Sequence, residues 1–168
     1  MNGVCGRAWK FGDDVNTDTI MAGKYLAGRI EDAVPHALEA ANPDFAKNVR
    51  PGDIVVGGRN FGCGSSREAA PAVLKALGVG VVMAESFARI FFRNSVAIGL
   101  PVLSCPGVGG CVKEGDVLEV DLEQARIANV RTGEALQGQP LAKEMLTIIK
   151  KGGVAALLSE EYKQGVKG

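Results

Sequence analysis

The sequence is poor in the residues that build metal centres. It has four cysteines, Cys5, Cys63, Cys105 and Cys111, and a single histidine, His36. The cysteines form no CxxC pair, and one histidine cannot complete a Cys/His zinc set. Iron–sulfur clusters usually need several thiolates at short spacings in one chain, and this chain does not offer them. We therefore expect it to bind no metal and no cluster by itself.

Net charge, aromatic residues and long apolar runs are also scarce. The 19 Lys and Arg residues balance 19 Asp and Glu residues, so no long-range field would hold nucleic acid or an anionic membrane. One tryptophan and few other aromatic residues argue against a stacking platform for single-stranded nucleic acid. No apolar run is long enough for a membrane span, and residues 1–12 lack the apolar stretch of a signal peptide. We expect a cytoplasmic protein without a nucleic-acid or membrane partner.

The chain does have the length and apolar content for one hydrophobic core. It has 168 residues, 46% of them hydrophobic, and its 23 glycines show no period, so we expect a single domain over residues 1–168. Strands are predicted over residues 4–11, 53–56, 79–84 and 101–103. Helices are predicted over 30–41, 67–77 and 87–97, then a hairpin over 116–122 and 126–132, and helices over 141–151 and 154–163. This alternation indicates an α/β fold.

The segment 62–68, Gly-Cys-Gly-Ser-Ser-Arg-Glu, carries the strongest functional signal. It joins a predicted strand to a predicted helix. Glycines let the backbone approach a ligand, and the free N–H groups of a helix N-terminus bind anions. Ser65 and Ser66 add two hydroxyl groups, and Arg67 adds a guanidinium that matches a carboxylate. The segment therefore predicts an oxyanion-binding loop.

Other interpretations of this loop remain open at the level of the pattern. Ser65 and Glu68 could form a capping box, which would make the loop an ordinary helix start. A nucleotide-binding loop is disfavoured for two reasons. No lysine precedes the serines, as the Walker pattern requires, and Gly62-x-Gly64 does not continue to the G-x-G-x-x-G fingerprint of dinucleotide-binding loops. Cys63 could be a thiol nucleophile, but no histidine is near it in the sequence.

Three motifs in order resolve the ambiguity by resemblance. They are Asn-Thr-Asp-Thr-Ile at 16–20, Asn-Phe-Gly-Cys-Gly-Ser-Ser-Arg-Glu at 60–68 and Ala-Glu-Ser-Phe-Ala-Arg-Ile-Phe at 84–91. Over residues 6–150 the chain resembles the small subunits of isopropylmalate dehydratases and homoaconitases, which are swivelling domains of the aconitase superfamily. The resemblance implies a three-layer β/β/α fold. It also implies a hydro-lyase that works with a large subunit, in a heterodimer or heterotetramer, and that the large subunit carries a [4Fe-4S] cluster.

The resemblance also implies roles for individual residues. Ser65 would be the base that removes a proton from the carbon beside a carboxylate, while Ser66 and Arg67, with Gly64 in the same loop, would bind a substrate carboxylate. Asp18 matches an acidic residue near the active site with a supporting or proton-handling role, although an Asx-turn is the simpler alternative. A serine needs help to act as a base, and the charge of Arg67 and helix N–H groups could stabilise its alkoxide.

The substrate is the least determined part of this interpretation. In the family it is selected by the loop after a Tyr-Leu pair, here 25–29, where Arg29 could bind a distal carboxylate or could simply be an exposed arginine. Small Ala27 and Gly28 leave room for an alkyl group, which favours isomerisation of 2- and 3-isopropylmalate in leucine biosynthesis. Homoaconitase, citraconate-forming 2-methylmalate dehydratase and dimethylmalate dehydratase remain alternatives. Ala69, where many relatives have histidine, leaves specificity open, and a non-catalytic organic-acid-binding module is an alternative of another class.

Overall fold

A seven-stranded β-sheet organises residues 3–166, the part of the chain described by the computed structural model. Its strands are β1 Gly3–Lys10, β2 Ile54–Gly57, β3 Val81–Ala84, β4 Val102–Ser104, β5 Val117–Asp121, β6 Arg126–Asn129 and β7 Ala135–Gln137. The strand order is β4-β3-β2-β1-β5-β6-β7. β1 to β4 are parallel, and β5 to β7 extend the sheet as an antiparallel meander from the other side of β1.

Helices occupy the connections between the parallel strands and follow the sheet. They are α1 Thr17–Ile20, α2 Ile30–Ala33, α3 Phe45–Asn48, α4 Ala69–Ala76, α5 Arg89–Ile98, α6 Val108–Cys111, α7 Lys143–Lys151 and α8 Val154–Val166. Two short 3-10 turns lie at Gly23–Tyr25 and Val34–His36. Within residues 3–166, no helix combines the length and the apolar character that crossing a membrane requires.

The buried side chains form two clusters, one on each face of the parallel strands. On one face, Trp9 and Val55 belong to a cluster shared with helices α4, α5 and α7. On the other face, Ile54 belongs to a cluster shared with Leu118 and Ile127 of the antiparallel strands. Because successive side chains of a strand point to opposite faces, the parallel strands are buried on both sides. The expected three-layer β/β/α arrangement is confirmed.

Most of the predicted elements agree with the structure. All four parallel strands, the β5–β6 hairpin and helices α4, α5, α7 and α8 are confirmed to within a few residues. The single helix predicted over 30–41 is wrong, because α2 ends at Ala33 and a 3-10 turn over Val34–His36 follows. Pro35 lacks the N–H that a continuing helix needs, and Leu38 has a φ of +54°. Strand β7 and the four-residue helices α1, α3 and α6 were not predicted, since three or four residues carry too little pattern.

A buried carboxylate fastens β1 to the turn before β2. Asp53 accepts hydrogen bonds from Trp9 Nε1 at 3.0 Å and from the backbone N–H groups of Arg7 at 3.2 Å and Arg50 at 3.0 Å. The Trp9 ring in turn packs edge-on against Phe45, with ring centroids 5.4 Å apart. The Asp53 carboxylate therefore fixes β1, the turn before β2 and the Trp9–Phe45 pair relative to one another.

Replacing Asp53 by Ala should lower the free energy of unfolding by about 3 kcal/mol, because the indole N–H and two backbone N–H groups would lose their acceptor. Equilibrium denaturation with urea measures this change. Glu119→Ala is the control, since Glu119 lies on the exposed face of β5, and its effect should stay within about 0.5 kcal/mol. Equal effects of the two substitutions would contradict the stabilising role of Asp53.

Candidate active site

The loops that follow β1 and β2 lie side by side at the carboxyl-terminal edge of the parallel strands, where open α/β sheets bind ligands. The N–H of Gly62 donates to the carbonyl of Val15 at 2.7 Å, and the N–H of Thr17 donates to the carbonyl of Cys63 at 2.8 Å. Asn16 and Cys63 form an isolated parallel β-bridge. Backbone pairing between the two loops therefore brings the side chains that follow them together.

Two glycines permit this close approach. Gly62 has a φ of +83°, and a Cβ atom at this position would lie 2.2 Å from the ring of Phe91 on α5. Gly64 has a φ of +100°, and its Cβ position lies 3.4 Å from Thr17 Oγ1. Side chains are strained in this region of backbone space, and at Gly62 there is no room for one. The glycines of the loop are explained by its geometry alone, so they do not by themselves indicate a ligand.

Asp18 and Arg67 form an ion pair across the two loops. Arg67 Nη1 donates to Asp18 Oδ1 at 2.8 Å and to the carbonyl of Met21 at 2.9 Å. The N–H of Gly23 donates to the same Asp18 oxygen at 3.0 Å. The hydrogen bond from Arg67, the one from Gly23 and the charge of Arg67 together lower the pKa of Asp18. Asp18 is therefore a carboxylate at neutral pH, and it holds one nitrogen of the guanidinium in place.

Along the chain, Ser65 lies between Cys63 of the backbone bridge and Arg67 of the ion pair. Its carbonyl accepts hydrogen bonds from the Thr17 hydroxyl at 3.0 Å and from the N–H of Arg67 at 2.9 Å. Helix α4 begins only at Ala69, two residues later than predicted, and its N-cap residue Glu68 makes no side-chain capping bond. Ser65 is too far from the helix to cap it, so the capping-box alternative is wrong.

The site is open to solvent. Gly64, Ser65 and Ser66 are exposed, and the side chains of Arg67 and Asp18 keep 18% and 66% of their surface accessible. The hydroxyl groups and the guanidinium thus line a surface rather than an enclosed cavity. Reactions that need water excluded from the reacting atoms would require a second wall over this surface.

Arg29 lies apart from this group of residues. Its side chain is 81% exposed, and its Nε lies 3.5 Å from a carboxylate oxygen of Glu31. The segment that leads to Arg29 nevertheless starts at the site. It begins with the 3-10 turn Gly23–Tyr25, and the N–H of Gly23 donates to Asp18. The structure therefore brings Asp18, Ser65 and Arg67 together and leaves Arg29 on a neighbouring exposed loop.

The cysteines and the histidine of residues 3–166 lie outside any metal-binding group, and one of the cysteines is buried. Within residues 3–166, no three His, Cys, Asp or Glu side chains are arranged to hold a metal ion. Burial, and then the neighbouring Glu85 and Cys111, raise the pKa of the Cys105 thiol to about 11, so that thiol stays protonated. His36, the one histidine, stacks on Tyr25 with ring centroids 5.0 Å apart.

Thr17 is the residue that the sequence pattern left without a role. It belongs to the first of the three motifs, yet its contact is with Ser65, 48 positions further along the chain. Its 3% exposure marks it as buried, unlike the flanking Asp18. The only signal in the sequence was that Thr17 is a polar residue directly before Asp18, and this does not indicate that Thr17 contacts Ser65.

Comparison with known proteins places the chain among small subunits of dehydratases. Residues 15–106 match the family model of the aconitase C-terminal domain. The chain is 50% identical over 159 residues to the isopropylmalate/citramalate isomerase small subunit of Methanocaldococcus jannaschii, covering 94% of this chain and 95% of that one. It is 44% identical over 170 residues to the methanogen homoaconitase small subunit of Methanothermobacter thermautotrophicus, covering 100% and 98% of the two chains.

A solved structure agrees with the sequence relatives. The crystal structure of 3-isopropylmalate dehydratase from Methanocaldococcus jannaschii superposes with a TM-score of 0.90 at 36% identity, covering 99% of each chain. The matched fold, the near-complete coverage and the family match all indicate the same protein family. This chain therefore belongs to the aconitase C-terminal domain family and, within it, to the small subunits of isopropylmalate dehydratase-type hydro-lyases, which act together with a large subunit.

Proposed function

We propose that this chain is the small subunit of a 3-isopropylmalate dehydratase, which interconverts 2- and 3-isopropylmalate by dehydration and rehydration in leucine biosynthesis, in the cytoplasm. The observation that carries the proposal is the convergence of Ser65, Arg67 and Asp18 at the edge of the parallel strands. The names of relatives support the substrate, since a 46% identical chain of Methanopyrus kandleri, matched over 98% of both chains, is a 3-isopropylmalate dehydratase small subunit.

Arg67 binds a carboxylate of the substrate in this proposal. A guanidinium has five N–H donors, and Nη1 uses its two on Asp18 and the carbonyl of Met21. The Nε and Nη2 donors remain to form the two-pronged contact that carboxylates prefer. Ser66, exposed one residue earlier, adds a hydroxyl donor, and Gly64 lets the backbone approach the same group.

Ser65 takes the proton from the carbon beside that carboxylate. With Ser65 ionised to its alkoxide, the C–H bond breaks, the proton passes to Ser65 Oγ, and the electron pair forms a double bond as the neighbouring hydroxyl leaves as hydroxide, which a Lewis acid on the partner would take up. Adding water back with the hydroxyl on the other carbon yields the isomer. Asp18, ionised at neutral pH, cannot donate a proton there, so we assign it the role of holding Arg67.

The second wall of the site comes from the large subunit in this proposal. We assign a [4Fe-4S] cluster to the partner, as the resemblance of the three motifs implies, and within residues 3–166 no three His, Cys, Asp or Glu side chains are arranged to hold a metal ion. Such a cluster, when bound, would supply the Lewis acid that draws off the substrate hydroxyl. This chain supplies the base and the carboxylate contacts, and the partner covers its exposed surface.

Related substrates form the second candidate. One relative is named an isopropylmalate/citramalate isomerase small subunit and another a methanogen homoaconitase small subunit, so the names include substrates with other groups at the distal end. In this chain the exposed loop 26–29 is the part that could contact that end, with Arg29 as its charged residue. We propose that Arg29 contributes to substrate choice by binding there.

The base assignment is tested by Ser65→Ala in the complex with the large subunit. Because a general base acts on the proton transfer, kcat should fall by about 10² to 10⁴-fold while KM changes little. The measurement is steady-state kinetics of reconstituted complexes at matched iron content. A Ser65→Ala complex that keeps more than about a third of the wild-type kcat would rule out Ser65 as the base.

Neighbouring substitutions serve as controls for Ser65→Ala. Ser66→Ala and Arg67→Lys remove carboxylate contacts from the same loop, so they should raise KM more than they lower kcat. If all three variants show the same loss of kcat, the loop has been disturbed as a unit and no residue in it can be called the base.

Arg29→Ala should change the order of substrates more than the rate with the best one, because it removes a contact to the distal end. The comparison is kcat/KM over malates with different substituents at the third carbon. Lys24→Ala is the matched control, since Lys24 is an exposed cation in the 3-10 turn just before that loop. A uniform decrease over all substrates would show that Arg29 has no part in substrate choice.

The chain alone should show no dehydratase turnover and no stoichiometric iron, because it has a base but no Lewis acid. An anaerobic assay and iron analysis of the purified chain measure both. Turnover without the large subunit would contradict the proposal, and tight binding of organic acids by the isolated chain would favour the non-catalytic binding module instead.

A further inference from the structure

A buried hydroxyl lies directly against the Ser65 side chain. Thr17 Oγ1 is 3.3 Å from Ser65 Oγ and donates to the Ser65 carbonyl at 3.0 Å. Among the hydrogen bonds of residues 3–166, this is the one side-chain contact made by the Ser65 hydroxyl. Thr17 is 3% exposed, whereas Ser65 is exposed. The environment of the Ser65 oxygen on the protein side is therefore set by a single threonine.

Thr17 is itself held from both directions. Its N–H donates to the carbonyl of Cys63 at 2.8 Å, and its carbonyl accepts from the N–H of Met21 at 2.9 Å within α1. The preceding Asn16 caps α1, because its side chain accepts from the N–H of Thr19 at 2.7 Å. A β-branched side chain on a backbone fixed in this way has little rotational freedom. The hydroxyl of Thr17 therefore has a defined position before any substrate arrives.

We infer that Thr17 is a positioning residue for Ser65, which it aims and whose oxygen it stabilises when that oxygen acts as the base. The inference rests on the proposed function of Ser65. In the resting site the Ser65 hydroxyl donates to Thr17 Oγ1, while the Thr17 proton points to the Ser65 carbonyl. When Ser65 has lost its proton to solvent water, a rotation of the Thr17 hydroxyl directs its proton to the Ser65 oxygen. Proton transfer from the substrate then reverses this rotation.

The small number of hydrogen-bond donors to Ser65 Oγ explains why the Thr17 hydroxyl matters. Arg67 is held by Asp18, and its N–H groups face a substrate carboxylate in the proposed function. The backbone N–H of Arg67 donates to the Ser65 carbonyl rather than to its side chain. Within residues 3–166, Thr17 is thus the one group within hydrogen-bond distance of Ser65 Oγ, and a hydrogen bond to a charged oxygen is stronger than one to a neutral oxygen.

Thr17→Val in the complex with the large subunit tests the inference. This change keeps the shape and removes the hydroxyl, so kcat should fall by about 10- to 100-fold, the range of one hydrogen bond to a charged group. KM should stay within about 2-fold, and the pH at which activity rises should move upward by about one unit or more. Thr17→Ser, which keeps the hydroxyl, should stay within about 3-fold of the wild-type kcat.

Two further variants separate positioning from general disturbance. Within residues 3–166, the Thr19 hydroxyl bonds only to Asn16, the N-cap residue of α1, so Thr19→Val should leave kcat and the pH profile unchanged. Thr17→Ala also removes the hydroxyl and adds no bulk, so it should show the same decrease in kcat of about 10- to 100-fold, and it keeps the test valid if the valine variant fails to assemble. If Thr17→Ser loses as much activity as Thr17→Val, packing rather than the hydroxyl is responsible, and the inference is wrong.

A double mutant distinguishes this inference from the proposed function. If Thr17 acts through Ser65, adding Thr17→Val to Ser65→Ala should cause no further decrease in kcat. An inactive Ser65→Ala with a fully active Thr17→Val would overturn the role of Thr17 and leave Ser65 as the base. An active Ser65→Ala would overturn the base assignment itself, and the role of Thr17 with it.

Discussion

The backbone pairing between the loops after β1 and β2 is the constraint on which the site depends. Two hydrogen bonds of 2.7 and 2.8 Å join residues 15–17 to residues 62–63, and Thr17, Asp18, Ser65 and Arg67 lie in or directly after these segments. The pairing is possible because parallel strands β1 and β2 are neighbours and end at the same edge. Asp18 meets Arg67, and Thr17 meets Ser65, only because this backbone contact sets the register between them.

The two carboxylates near β1 and β2 contribute differently to this arrangement. Asp53 is buried and fully bonded at the start of β2, where it fixes the strands beneath the site. Asp18 is largely exposed at the other end of the strands, and it holds a cation that has donors to spare. Buried carboxylates need several donors to offset desolvation, whereas an exposed one can release its partner at low cost. Asp53 is therefore suited to stabilising the fold, and Asp18 to holding Arg67 at a surface where substrate binds and leaves.

The openness of the site agrees with membership in a family of subunits that act together with a large subunit. Rigid layers of sheet and helix lie behind Ser65 and Arg67, while Gly64, Ser65 and Ser66 face solvent. A surface of this kind holds its groups in fixed directions and leaves space for a partner to close over the substrate. The loop that carries Arg29 stands beside this surface, where it can vary without disturbing the core.

The sequence by itself determined six of the seven strands, the four longest helices and the identity of the loop, because apolar patterns and the Gly-Cys-Gly-Ser-Ser-Arg motif are local signals. The three-layer fold followed from resemblance, and the structure confirms it. Only the tertiary structure decided that Asp18 binds Arg67, that Thr17 touches Ser65 and that Ser65 does not cap α4. These contacts join residues 48 or 49 positions apart, and no local pattern specifies which side chains meet when two loops pair at a sheet edge.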